Sequence, residues 1–213
     1  METDIINPYV IKIIIAARNE DSINAIAKRI HLSYGWTYKW ITRLIKIGVF
    51  KGSRVRLTLN QENQFYKDTI DFIKKTFSED IHFHYSTLRL FGIKYCFTKT
   101  DAVFVWTKGG YNIARFKGHY PIFIKVKADQ LPVFKEYCKK LSLKIGRKNG
   151  ISYHIEILDE FGIVDLDGNP VDSLNITIKF MKKYIYNFQP ALEMVQEMYG
   201  KGLKIKYKEI NYV

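Results

Sequence analysis

Cysteine is nearly absent: Cys96 and Cys138 are the two in 213 residues. They are too few and too far apart for a disulfide framework or a zinc site, and they suit a reducing compartment as buried thiols. No apolar run approaches the ~20 residues of a membrane helix. The longest early run, Ile13 to Ala17, is too short for a signal-peptide core, and no basic stretch precedes it. These absences predict a cytoplasmic protein with no membrane association. A Walker-type phosphate loop and a nucleophile elbow are also missing.

Acid is missing too, and only locally. From Ser22 to Gln61 there is no Asp or Glu, while Lys28, Arg29, Lys39, Arg43, Lys46, Lys51, Arg54 and Arg56 lie in that stretch. A solvated helical surface normally mixes the two signs, because like charges repel and opposite ones at i,i+4 help. A segment purged of acid is expected where a surface must approach phosphates. The whole chain agrees in sign, with 34 Lys+Arg against 21 Asp+Glu and a net charge of +13, so an anionic partner is expected. The excess is not confined to one end. Through Phe77 there are 13 basic and seven acidic residues, which leaves 21 and 14 for the remainder.

The acid-free stretch has its own periodicity. Asn7 and Pro8 form a capped helix start, and Val10, Ile13, Ile14 and Ala17 make an apolar face up to Arg18. A second helix is predicted from Ser22 to Ile30, with Ile23, Ile26, Ala27 and Ile30 at helical spacing. After the turn His31-Leu32-Ser33, a third runs from Tyr34 to Ile47 with Trp36, Trp40, Leu44 and Ile47 as its expected core stripe, and Gly48 stops it. Val49 and Phe50, a basic tip from Lys51 to Arg54, and the alternating Val55, Leu57 and Leu59 read as a β-hairpin. Helix, turn, longer helix and basic hairpin together resemble the winged-helix superfamily of regulators over Asn7 to Asn60. That resemblance implies double-stranded DNA as partner. The N-terminal half of the third helix would enter the major groove. Ser33, Tyr34, Gly35, Thr37, Tyr38 and Lys39 would then lie near bases or phosphates, with Arg43 on phosphate and Lys51, Arg54 and Arg56 of the hairpin on the flanking backbone or minor groove.

Residues 61–80 read as a fourth, linking helix with Phe65, Ile70, Phe72, Ile73 and Phe77 on its apolar side, suited to pairing two copies in a homodimer. Residues 81–213 have mixed α/β character. Strands are expected over Lys94 to Phe97, Tyr120 to Val126, Ile151 to Ile157, Ile163 to Leu166 and Leu203 to Tyr207. Helices are expected over Asp129 to Leu141, Ser173 to Ile185 and Pro190 to Tyr199. The predicted class is therefore α+β: residues 1–60 winged, 61–80 linking, 81–213 a mixed α/β domain.

Within that last part, the segment Lys94 to Val103, with Tyr95, Thr98 and Ala102 in a tyrosine–x–x–threonine … alanine pattern, followed by the run Asp167 to Ser173 and the helices through Pro190 to Met194, resembles AbiEi-type antitoxins. Lys99 stands where that family usually has glycine. The resemblance implies a nucleotidyltransferase-like C-terminal domain, repression of the protein's own operon, and a toxin protein as a further partner.

Signs of chemistry are few. Asp165 and Asp167 could be a metal-binding carboxylate pair, though a polar turn is the plainer reading. His82 and His84 would share one face of a strand and make half a zinc site. Tyr111, Arg115, Phe116 and Lys117 form a basic-aromatic cluster. No catalytic residue, cofactor or metal is assigned, and the chain is expected not to be an enzyme. Three readings follow in order: a sequence-specific DNA-binding regulator, a ligand-sensing regulator, and a nucleic-acid-processing enzyme gripping its substrate with the winged segment.

Overall fold

The structure, a computed structural model, describes residues 7–113, 115–116, 118–203 and 205. The chain is α+β and divides into two compact units, residues 1–93 with 132–143 and residues 94–131 with 144–213. This division places residues 61–93 and a later helix with the N-terminal elements, whereas the sequence reading separated them at 60 and 80.

The first unit begins with α1 (Pro8–Ala16), α2 (Ile23–Arg29) and α3 (Tyr34–Lys46). Asn7, Ser22 and Ser33 cap them, each side chain accepting a backbone N–H of the first turn, which satisfies donors that a helix start leaves free. Ile13, Ile14, Ile26, Ile41 and Leu44 meet in a core with essentially no exposure, each buried side chain contributing about 1.5–3 kcal/mol. Strands β1 (Phe50–Ser53) and β2 (Arg56–Leu59) pair antiparallel, Phe50 opposite Leu59. Val55 was expected on the inner face with Leu57; it sits instead at the tip, 77% exposed, because the turn takes up Arg54 and Val55.

The segment before α2 adds to this hairpin. Glu20 N–H donates to Leu57 O and Leu57 N–H to Asp21 O, both at 2.8 Å, and Ile23 N–H donates to Arg54 O at 3.0 Å. Asp21 also forms a bidentate pair with Arg29, at 2.6 and 3.0 Å, while Arg29 donates to Ala16 O at 2.6 Å. Both side chains of the pair are about nine-tenths buried. One ion pair thus ties α2 to the end of α1 and to the strand beside the hairpin.

Helices α4 (Gln64–Glu79) and α5 (Ile81–Thr87) complete this part of the chain. Tyr66, Ile70, Ile73 and Phe77 form the buried side of α4, and Phe72, expected among them, is 60% exposed. Helix α7 (Leu131–Leu141) also belongs to the first unit except for its first residue. Its Tyr137 stacks on Phe91 at 4.2 Å and donates to Ala16 O at 2.5 Å.

Lys140, two turns' distance from the start of α7's buried stripe, donates to Ile14 O, Ile15 O and Ala17 O at 2.6, 3.1 and 2.6 Å. It thereby caps the C-terminal carbonyls of α1, where a cation also suits the helix dipole. Burial pulls this ammonium's pKa down to about 7, with Arg29 and Arg18 adding to the fall and Asp21 opposing it. The folded pKa lies below the unfolded value of about 10.4, so the unfolded chain binds more protons between them. Stability is therefore expected to rise from pH 7 towards pH 10. Urea denaturation at pH 7 and pH 9 checks this, and the Lys140→Met variant, less stable at both, should lose that rise.

The second unit holds a five-stranded mixed sheet in the order β5 (Gly150–Leu158), β4 (His119–Lys127), β3 (Tyr95–Phe97), β7 (Asn169–Val171) and β6 (Val164–Leu166). β4 runs parallel to β5 and antiparallel to β3, and β3 runs parallel to β7. Helices α6 (Lys99–Trp106), α8 (Leu174–Lys183) and α9 (Ile185–Tyr199) complete it. The last begins five residues before Pro190, where a break was expected. An interior proline forfeits one helix bond, and burial of Phe188, Ala191, Leu192 and Val195 offsets that loss. The strand expected over Leu203 to Tyr207 falls mostly outside the described residues.

Thr98 and Asp172 meet in this core: Thr98 donates to Asp172 at 2.6 Å, and Lys125 pairs with the same carboxylate at 2.7 Å. Lys99, next to Thr98, has φ +53°, a left-handed conformation that glycine adopts without the penalty of a Cβ. Lys99→Gly is expected to leave stability unchanged or raise it by up to about 1 kcal/mol, and Lys99→Val to lower it by about 1–2 kcal/mol. Thermal denaturation of the two variants checks the order.

Candidate nucleic-acid interface

Helix α3 turns Thr37, Trp40, Ile41 and Leu44 inward. Thr37 was expected to face a ligand. It is completely buried, and its hydroxyl donates to Ser33 O at 3.0 Å, so the polar group is satisfied inside the helix itself. Trp36, expected in the core, is 40% exposed, while Trp40 is buried as expected. Of the expected stripe, Trp40 and Leu44 are buried, whereas Ile47 like Trp36 is exposed and Thr37 and Ile41 take their places in the core.

Ser33, Tyr34, Gly35 and Lys39 are exposed on the opposite side, and Tyr38, Thr42 and Arg43 are half-buried along it. The rings of Tyr34 and Tyr38 stack with centroids 6.1 Å apart and 14° between planes. Arg54 of the hairpin tip lies 4.7 Å over the Tyr38 ring and donates to its hydroxyl at 3.1 Å. That hydrogen bond, with a second from Thr42 and the charge of Arg54, holds the Tyr38 phenol below its ordinary pKa. The contact joins the outer face of α3 to the hairpin tip in one continuous aromatic and cationic surface. Lys39 lies 5.1 Å over Trp36 and Arg43 4.9 Å over Trp40.

The hairpin cations divide. Lys51 and Arg54 are exposed, whereas Arg56 pairs with Glu20 just outside the acid-free stretch, which raises its pKa. Arg29 is the other basic residue with an internal acid, and it belongs to the core rather than the surface. Lys28 and Lys46 are exposed. Counting charges along the chain could not separate these roles, because Glu20 and Asp21 lie just ahead of the stretch and fold back onto it.

Two glycines set the geometry. A Cβ built on Gly35 meets nothing within 4 Å, so this position is open towards solvent at the start of α3. Gly52, at φ +113°, would bring a Cβ to within 2.3 Å of Arg56 O, so the hairpin needs glycine there.

The other candidate sites do not assemble as the sequence suggested. His82 and His84 lie on helix α5, not on a strand. His84 is buried with Nε2 2.7 Å from Phe77 O, and burial lowers its pKa to about 4. Asp165 accepts from Gly168 N–H at 2.9 Å and closes the β6–β7 turn. Arg115 is buried against Asp101 at 2.8 Å and lies 4.4 Å from the Tyr120 ring, so it forms no surface patch with exposed Phe116; Lys117 lies outside the described residues. Among the described residues, no three His, Cys, Asp or Glu side chains are placed to hold a metal, and no helix is long and apolar enough to cross a membrane.

The first unit also contains an open cleft of about 550 Å³ between the end of α1, α4 and α7, with Arg18, Tyr66, Lys74 and Lys139 among its lining residues. Compared with protein families, curated proteins and solved structures, the chain matches none.

Proposed function

We propose that the first unit is a winged helix-turn-helix that binds double-stranded DNA, and that the protein is a sequence-specific transcription regulator. The observation that carries this reading is the Arg54–Tyr38 contact, which makes the outer face of α3 and the hairpin tip one surface. α3 and the hairpin contribute Lys39, Lys46 and Lys51 and no acid of their own, and the exposed Glu20 beside them is paired with Arg56. An exposed helix with an open N-terminal half beside a cationic hairpin fits a major groove and its flanking phosphates. The segment from Glu20 to Ile23 pairs with the hairpin and fixes its position relative to α2 and α3.

Pairing of two copies belongs to the same proposal, with Phe72 on α4 as the exposed apolar residue. An AbiEi-like autorepressor role with a toxin partner is the finer form of the reading. It is supported by the meeting of Thr98 and Asp172 and by the glycine-like backbone of Lys99. A ligand-sensing regulator is the second reading, favoured by the cleft beside α1, whose size lies within the range of small-molecule sites.

Selection from a random duplex pool with the purified protein tests the main reading. Enrichment of one sequence, bound at least about 1,000-fold tighter than unrelated duplex, is the expected result. An unenriched pool would overturn sequence-specific recognition.

A further inference from the structure

The surface aimed at the duplex has a second absence besides acid. From Ala25 to Leu59 the chain contains no Asn and no Gln. In the major groove, adenine is distinguished by a bidentate pair of hydrogen bonds from Asn or Gln, and cytosine by an acceptor from Asp or Glu. Neither kind of side chain is available on α3 or the hairpin, and Asn24 at the start of α2 is the nearest amide before them.

In the first nine residues of α3, Tyr34, Gly35, Tyr38, Lys39 and Thr42 lie outward, and Trp36, 40% exposed, packs edge-on against Tyr9 and Trp40. Arg43, the guanidinium of this helix, is half-buried and lies over Trp40. Arg54 is held on Tyr38. The Lys39 ammonium, a compact point charge on a flexible stem, can donate to guanine N7 and O6, which leaves readout of A·T pairs to other groups. What remains to be read is the thymine 5-methyl group, which apolar and threonine side chains recognise by contact. Tyr34 and Tyr38 offer two nearly parallel rings, and Thr42 follows one turn after Tyr38 and bonds to its hydroxyl.

We infer that the protein selects its site by packing Tyr34, Tyr38 and Thr42 against thymine methyl groups. The inference rests on the regulator reading and names its ligand: thymine-containing duplex DNA, and not RNA, whose uracils lack the methyl.

The test uses the duplex enriched from the random pool, resynthesised with deoxyuridine in place of thymidine. This exchange keeps base pairing, hydrogen-bonding groups and charge, and removes only methyl groups. Affinity is expected to fall roughly fourfold for each contacted thymine, the value of one buried carbon. The Tyr34→Ala/Tyr38→Ala variant, changed at outward-facing positions, should bind the two duplexes nearly equally. If the wild-type protein binds both duplexes with the same affinity, methyl recognition is wrong while the regulator reading stands. If no duplex is enriched in the first place, the regulator reading falls and the inference with it.

Discussion

Replacing Gly35 with leucine is expected to weaken duplex binding by roughly 10- to 100-fold while leaving the fold intact. A Cβ at this position meets nothing within 4 Å, and leucine is a better helix former than glycine by roughly 0.8 kcal/mol. The variant should therefore denature at the same or a higher temperature than the wild type. In the complex the situation reverses. The side chain would stand between the start of α3 and the groove, and forcing such volume into a close contact costs about 1–3 kcal/mol, with each 1.4 kcal/mol worth about tenfold in affinity. Gly35→Ala should show the same direction with a smaller loss. Fluorescence anisotropy on the enriched duplex, alongside thermal denaturation, separates the two effects; unchanged affinity for Gly35→Leu would remove this end of α3 from the interface.

The Arg29→Met variant is expected to lose about 3–5 kcal/mol of stability, the usual result of removing one partner from a buried ion pair. Asp21 would be left nearly nine-tenths buried without its guanidinium, and Ala16 O would lose a donor at 2.6 Å. Asp21 also accepts from Arg18 N–H at 2.7 Å, and its backbone pairs with Leu57, so the loss should spread to the hairpin. Replacing Lys28, the exposed neighbour, by methionine should change stability by less than about 0.5 kcal/mol. Urea denaturation of both variants checks the contrast. A small effect at Arg29 would mean that water reaches the carboxylate readily.

The helices and hairpin of the first unit were legible in the sequence because caps and periodicity are local. Asn7, Ser22 and Ser33 cap where expected, and Ile13, Ile26 and Leu44 lie in the core. The rotation of α3 was not legible. Trp36 outweighs Thr37 in any hydrophobicity count, yet a threonine bonded to its own preceding turn can be buried. Of the ten residues expected to reach DNA, Thr37 is buried and Arg56 is paired with Glu20. The others are exposed or half-buried on α3, its cap and the hairpin.

Long-range partners were invisible for a different reason. Asp21 with Arg29, Lys140 with the end of α1, and Asp172 with Thr98 and Lys125 are tertiary meetings that no spacing encodes. The assignment of α7 to the first unit follows from such contacts and not from its own amphipathic pattern. His84 shows the converse: two histidines one residue apart suggest a strand face, but the segment is helical and the imidazole is buried.

The central claim is that the outer face of α3 and the hairpin bind the phosphates of a duplex. Lys39, Lys46, Lys51 and Arg54 are its exposed cations, and Lys28 on α2 is a fifth in the same acid-free stretch. The most direct measurement is the affinity for the enriched duplex as a function of salt, for the wild type and for the Lys39→Gln/Lys51→Gln variant. If each of these five cations neutralises a phosphate, log K against log salt should have a slope of about −4 to −5. The variant's slope should be shallower by about 2. A wild-type slope near zero, or one that the two substitutions leave unchanged, would contradict the account.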